Sequence, residues 1–160
     1  DQPRSRGLGD VYKRQAQERL QGYRSAYEKE NLPVQESLIY HGDYTIQGGV
    51  KGLEKLVADN PDMTAVFVTN YEMTMGAVIG VNELALKIPE QLSMIGFDNL
   101  QFARACNPKL TIVAQPTPGI AREVAGIMLK RLEEGDAGNT ERIAEKLDAE
   151  IIMGKSVRAI

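Results

Sequence analysis

Apolar residues recur along this chain in an order that alternates between two periods. Ala16, Leu20, Tyr23 and Tyr27 stand at helical spacing, and the stripe ends at Asn31-Leu32-Pro33, so the pattern predicts an amphipathic helix over residues 16–31. Ser37-Leu38-Ile39-Tyr40 reads as a short strand. Gly42-Asp43-Tyr44-Thr45 then reads as a turn into a second helix, with Asp43 or Thr45 as its N-cap and Ile46, Val50, Leu53 and Val57 as its buried stripe. Asn60-Pro61-Asp62 breaks that helix ahead of a β-branched and aromatic run, Ala65-Val66-Phe67-Val68-Thr69. A third helix carries Met73, Ala77, Gly80 or Val81, and Leu84 inward and gives way at Ile88-Pro89-Glu90 to a strand ending Met94-Ile95-Gly96-Phe97-Asp98-Asn99. A short helical segment at 101–105, a strand at 110–114 closed by Gln115-Pro116, and a helix with Ile120, Val124, Ile127 or Met128, and Leu132 follow, up to a break at Glu134-Gly135-Asp136. Leu147, Ala149, Ile151 and Met153 alternate with Asp148, Glu150 and Ile152 as in a half-exposed strand. Helices and strands in alternation predict an α/β fold: a three-layer parallel sheet with crossover helices on both faces.

In such a sheet the carboxyl ends of the strands share one edge, and ligands bind in the crevice outside it. The residues just past the predicted strands are Asp43 and Tyr44, Asn70 and Tyr71, Asp98 and Asn99, and Gln115. Carboxylate and amide oxygens accept hydrogen bonds from hydroxyls, amide groups donate, and an aromatic ring packs against the C–H face of a sugar, so the set suits a polyol. Arg19, on the first helix, can add a forked donor. Each residue also has a plainer reading. Asn70 and Asp43 stand where N-caps belong, Asp98 where an Asx-turn acid would, and Arg19 and Tyr23 fit a solvated face and a core edge.

Composition narrows the function further. At 160 residues and a net charge of −3 the chain is long enough for one domain with a core, and its charge offers no footprint for nucleic acid. No apolar run reaches the length of a membrane span, so no membrane association is expected. A single cysteine, Cys106, excludes an internal disulfide. His41 has no nucleophile beside it, Gly48-Gly49-Val50-Lys51-Gly52 matches no phosphate-loop spacing, and clustered Cys and His ligands are absent, so no catalytic residue, metal or cofactor is expected. Residues 1–15 mix Pro, Gly and basic side chains without periodicity and read as a non-native or disordered leader, a basic nucleic-acid-binding arm being the sharper alternative.

Three motifs in order carry a resemblance: Ala65-Val66-Phe67-Val68-Thr69-Asn70 with Met75-Gly76-Ala77; Ile88-Pro89-Glu90 through Met94-Ile95-Gly96-Phe97-Asp98; and Pro108-Lys109-Leu110-Thr111 through Gln115-Pro116. Over residues 16–160 the chain resembles the lactose-repressor (LacI) family of sugar-responsive transcription regulators. That resemblance implies a type I periplasmic-binding-protein-like effector domain, incomplete here because most of its N-terminal subdomain is missing. Residues 16–115 would form the C-terminal subdomain, 116–135 a helix of the otherwise missing one, and 136–160 a terminal strand segment. It implies ligand contacts at Arg19, Tyr44, Asn70, Asp98 and Gln115, with Tyr71, where the family usually has Asp, as a further contact. Thr74 stands where a small Ala is common, and Gly154 where Arg is common. A small-molecule effector, a sugar or related metabolite, would control operator DNA binding through a missing N-terminal head, in a cytoplasmic homodimer without enzymatic activity. The chain alone would be marginally stable, would bind sugar weakly or not at all, and would not bind operator DNA. An exported sugar-binding protein of a transport system is the alternative, and a sugar-phosphate enzyme a third possibility that lacks a general base beyond Asp98.

Overall fold

The computed structural model describes residues 8–133 and 143–158. The expected break at Glu134-Gly135-Asp136 and the first seven residues of the expected leader lie outside them. In chain order the elements are α1 (Leu8–Lys29), α2 (Ile46–Asp59), β1 (Ala65–Phe67), α3 (Tyr71–Glu83), β2 (Ser93–Phe97), α4 (Leu100–Ala105), β3 (Thr111–Ala114), α5 (Thr117–Glu133) and β4 (Glu150–Ile152).

Four strands form one sheet in the order β1-β2-β3-β4. β1 pairs with β2 and β2 with β3 in parallel, with Phe67 opposite Ile95 and Phe97 opposite Val113. β4 runs antiparallel to β3, Val113 facing Ile151. The sheet is therefore mixed, not wholly parallel. Alternating polarity marks a strand but is blind to its direction; here the chain after β4 is drawn under the start of β3. Gly154 N–H donates to Thr111 Oγ1 at 3.0 Å and Lys155 N–H to the Lys109 carbonyl at 2.7 Å. Gly154 permits this because a Cβ there would stand 2.3 Å from the Lys109 carbonyl oxygen.

One sheet face carries the core. Met94 and Ile112, essentially inaccessible to solvent, pack with Leu53 of α2, Ala77 and Val81 of α3 and Ala103 of α4. The α2–α3 contact is close because it is made by glycines: a Cβ on Gly76 would lie 1.9 Å from the Ile46 carbonyl oxygen, and one on Gly49 2.4 Å from that of Met73. At the amino edge of the sheet, buried Ser156 ties β2 to β3, its Oγ donating to the Met94 carbonyl and accepting from Thr111 N–H at 2.8 Å. The opposite face is barer, with Phe67 41% and Ile151 62% exposed.

Two further elements differ from expectation. The strand predicted at Ser37-Leu38-Ile39-Tyr40 is instead a 3₁₀ turn over Glu36–Leu38. Its backbone groups are used locally: Leu38 N–H donates to the Gln35 carbonyl at 3.0 Å, and Asn60 Nδ2 donates to the Ser37 carbonyl at 3.0 Å. α1 starts at Leu8, eight residues before Ala16. Once nucleated, a helix extends cheaply through residues that include no proline, helped here by an Arg14–Glu18 pair one turn apart at 3.0 Å. α5 forms as expected but its apolar stripe is open, with Val124 50%, Met128 60% and Leu132 76% exposed.

Candidate functional site

Three strand ends deliver polar residues to the carboxyl edge, and the local backbone explains how. Asp98 and Asn99 follow β2 with φ of 57° and 49°, a left-handed pair that turns the chain sharply out of the sheet and that short polar side chains tolerate best. Asn99 then caps α4, its side chain accepting from Phe102 N–H at 2.9 Å. Asp98 turns the other way, toward β3. Its Oδ1 accepts from the Gln115 backbone N–H at 2.9 Å, and its Oδ2 accepts from Gln115 Nε2. The acid and the amide, seventeen residues apart in sequence, are thus each other's partners.

Arg19 is the hub of the edge. From α1 its Nη1 donates to the Thr69 carbonyl at 2.7 Å, and its guanidinium carbon lies 4.0 Å from the centre of the Phe97 ring, within range of a cation–π contact. It thereby touches the residue before Asn70 and the residue before Asp98. Partial burial pulls the Arg19 guanidinium below its usual pKa, while the nearby Asp98 carboxylate and Tyr44 push it back up. A desolvated cation, a carboxylate and an aromatic ring therefore share this edge.

Asn70 does cap α3: its Oδ1 accepts from Met73 N–H at 3.0 Å. Its NH₂ is the part the cap does not use. Tyr71 begins α3 and meets Phe102 edge-on, ring centres 6.3 Å apart. Tyr44 is 43% exposed and holds φ at 63°, a conformation rarely adopted by a bulky residue. Thr45, not Asp43, caps α2 through Gly48 N–H at 2.9 Å. Asp43 braces that cap, and the bonds from the Thr45 hydroxyl and N–H hold its carboxyl below the usual carboxylate range.

An open groove of about 730 Å³ brings Tyr71, Asp98 and Gln115 together with Asn99, Pro116 and Glu150. Arg19, Tyr44 and Asn70 do not line this groove. A second groove, of about 610 Å³, lies at the far ends of α3 and α4, lined by Val78, Val81, Leu86, Phe102, Cys106 and Pro108; it holds none of the expected ligand residues. Burial raises the Cys106 thiol pKa, which disfavours the nucleophilic thiolate. Among the described residues no cluster of three or more His, Cys, Asp or Glu could hold a metal ion, and no helix is long and apolar enough to cross a membrane.

Two participants escaped the sequence reading. Phe97, the platform under Arg19, is signalled by strand alternation, which puts it on the face opposite Gly96. Thr74 stands out in the sequence only for its size, although its hydroxyl accepts from Phe97 N–H at 3.2 Å.

The chain is similar to known proteins over most of its length. The family described as periplasmic binding protein-like domain matches residues 7–157. The HTH-type transcriptional repressor CytR of Escherichia coli (strain K12) is 36% identical over 142 residues, which are 89% of this chain and 41% of that protein. A solved transcriptional regulator CelR–cellobiose complex superposes with a TM-score of 0.78 at 30% identity, over 87% of this chain and 42% of the other. A LacI family transcriptional regulator from Enterococcus faecium with bound ribose gives a TM-score of 0.74 at 27% identity, over 87% of this chain and 50% of the other. The chain spans less than half the length of the curated relatives it matches.

Proposed function

This chain belongs to the periplasmic binding protein-like domain family, among its LacI-type regulators, and we propose that it is the effector-binding part of a transcription regulator. Arg19, Tyr44, Asn70, Asp98 and Gln115, with Tyr71, contact a sugar or related metabolite, and occupancy controls operator DNA affinity in the whole protein. The observation that carries this reading is the meeting of Arg19, Asp98 and Gln115 at the carboxyl edge of the sheet. A carboxylate with two acceptor oxygens beside a forked donor and amide groups matches a polyol, and nothing in the set is arranged to move a proton.

Residues 16–115 and β4 form one lobe, and α5 serves a second lobe in the complete regulator; the open apolar stripe of α5 supports this division. Ligand closing two lobes shifts their relative orientation and, through it, the DNA-binding heads of a cytoplasmic homodimer, a population shift between two states. Transcriptional regulators among the relatives favour this role over an exported sugar-binding protein. NMR titration of the ¹⁵N-labelled chain with D-ribose and with cellobiose, the sugars bound in the two structures above, tests the site. Shifts are expected at the amides of Asn70, Asp98 and Gln115 and are lost in Asp98→Ala. Saturable shifts that persist unchanged in Asp98→Ala refute the assignment.

A further inference from the structure

Thr74, one turn into α3, is 1% exposed and makes contacts that join the ends of two neighbouring strands. Its Oγ1 donates to the Asn70 carbonyl at 2.7 Å and accepts from Phe97 N–H at 3.2 Å. The first bond is the usual return of a helical Thr to the carbonyl four residues back. The second is not local. The β1–β2 ladder has its last rung at Val68 N–H to the Ile95 carbonyl, 2.9 Å, and Phe97 N–H, further along β2, takes the Thr74 hydroxyl as its acceptor. The methyl is fitted as closely, since a Cβ on Gly96 would stand 2.5 Å from Thr74 Cγ2.

One oxygen atom therefore links the residue that caps α3 to the residue immediately before Asp98. The backbone on the far side of that link is the left-handed Asp98-Asn99 pair, whose direction depends on where Phe97 is held. We propose that Thr74 is a positioning residue of the effector site: its hydroxyl fixes Asn70 relative to Asp98 and so sets the spacing between polar groups that a sugar bridges. This rests on the ligand-binding role given above to Asn70 and Asp98. A residue without the hydroxyl leaves Phe97 N–H without this acceptor and lets the turn relax, whatever it does to packing.

Thr74→Val keeps the shape and loses the hydroxyl, whereas Thr74→Ser keeps the hydroxyl and loses the methyl. The test is NMR titration of both variants and the parent chain with D-ribose and with cellobiose, with the thermal midpoint and the exchange rate of the Phe97 amide measured on each. The expected result is that Thr74→Val weakens sugar binding about tenfold and speeds Phe97 amide exchange, while Thr74→Ser keeps affinity within about twofold even where its midpoint falls. Should Thr74→Val not fold, Thr74→Ala replaces it, since it differs from Thr74→Ser by the hydroxyl alone. Affinity that follows the thermal midpoint in both variants, or that Thr74→Val leaves unchanged while the parent binds, overturns the proposal and leaves the site standing. Should the parent chain shift with neither sugar, as a single lobe can, the Phe97 amide decides: exchange that Thr74→Val does not speed overturns the proposal.

Discussion

Asn70 offers a way to separate capping from ligand contact in one side chain. Its Oδ1 accepts from Met73 N–H at 3.0 Å, so Asn70→Ala removes the α3 cap and is expected to cost about 1 kcal/mol, within a range of about 0.5–2. Asn70→Asp keeps an acceptor at the same place, adds a charge that the helix N-terminus favours, and deletes only the NH₂. Stability of Asn70→Asp is therefore expected to stay within about 0.5 kcal/mol of the parent. Binding responds differently: the loss of one neutral donor to a ligand hydroxyl is worth about 0.5–1.5 kcal/mol, or about two- to tenfold in affinity. Urea denaturation reads the first quantity and NMR titration with D-ribose and cellobiose the second. Equal affinity in Asn70→Asp and the parent would reduce Asn70 to a cap; destabilisation of Asn70→Asp as large as that of Asn70→Ala would refute the cap account.

Other outcomes follow from packing and protonation. Gly76→Ala drives a methyl to within 1.9 Å of the Ile46 carbonyl oxygen and is expected to lower stability in urea by about 1–3 kcal/mol or more, whereas Gly22→Ala meets nothing within 4 Å and should add about 0.5–1 kcal/mol. Ser156→Ala leaves Thr111 N–H without its acceptor at the buried amino edge, with an expected cost of about 1–3 kcal/mol; a loss below about 0.5 kcal/mol would mean that the edge is not held this way. Burial and then the hydrogen bond with Tyr27 push the Tyr23 phenol up to about 12. Because that value lies above the ordinary one, its contribution is present below about pH 10 and is lost as pH rises toward 12; phenolate absorbance should show one late-titrating tyrosine that moves earlier in Tyr27→Phe.

Much of the architecture was legible because it is written locally. The runs that became β1, β2 and β3 are short, apolar and bounded by turn residues, and Val50, Leu53, Ala77 and Val81 are buried as their spacing demands, while Ile46 and Leu84, at the ends of the same stripes, are each 39% exposed. Ser37-Leu38-Ile39-Tyr40 has the same local character and is no strand, since a strand needs a neighbour and here the Ser37 carbonyl is taken by Asn60 Nδ2. β4 was visible by alternation, but its direction depends on the backbone contact that Gly154 makes with Lys109. At the site, strand-end placement identified Asp98 and Gln115 as residues of one edge. That they bond to each other, and that Arg19 rests on Phe97, are facts of distance between strands and helix that no spacing encodes.

The Asp98–Gln115 pair leaves the acid held but not exhausted. Each carboxylate oxygen already accepts one hydrogen bond, and a carboxylate has about four lone-pair sites in all, so a ligand hydroxyl can bond to Asp98 without displacing Gln115. The two bonds to Gln115 fix the direction in which the remaining lone pairs face, and a ligand meets an acid whose orientation is set before it arrives. Selectivity of this kind comes from preorganisation: a compound whose hydroxyls match that direction orders no side chain on binding, and one that needs the carboxylate turned must first break its bonds to Gln115.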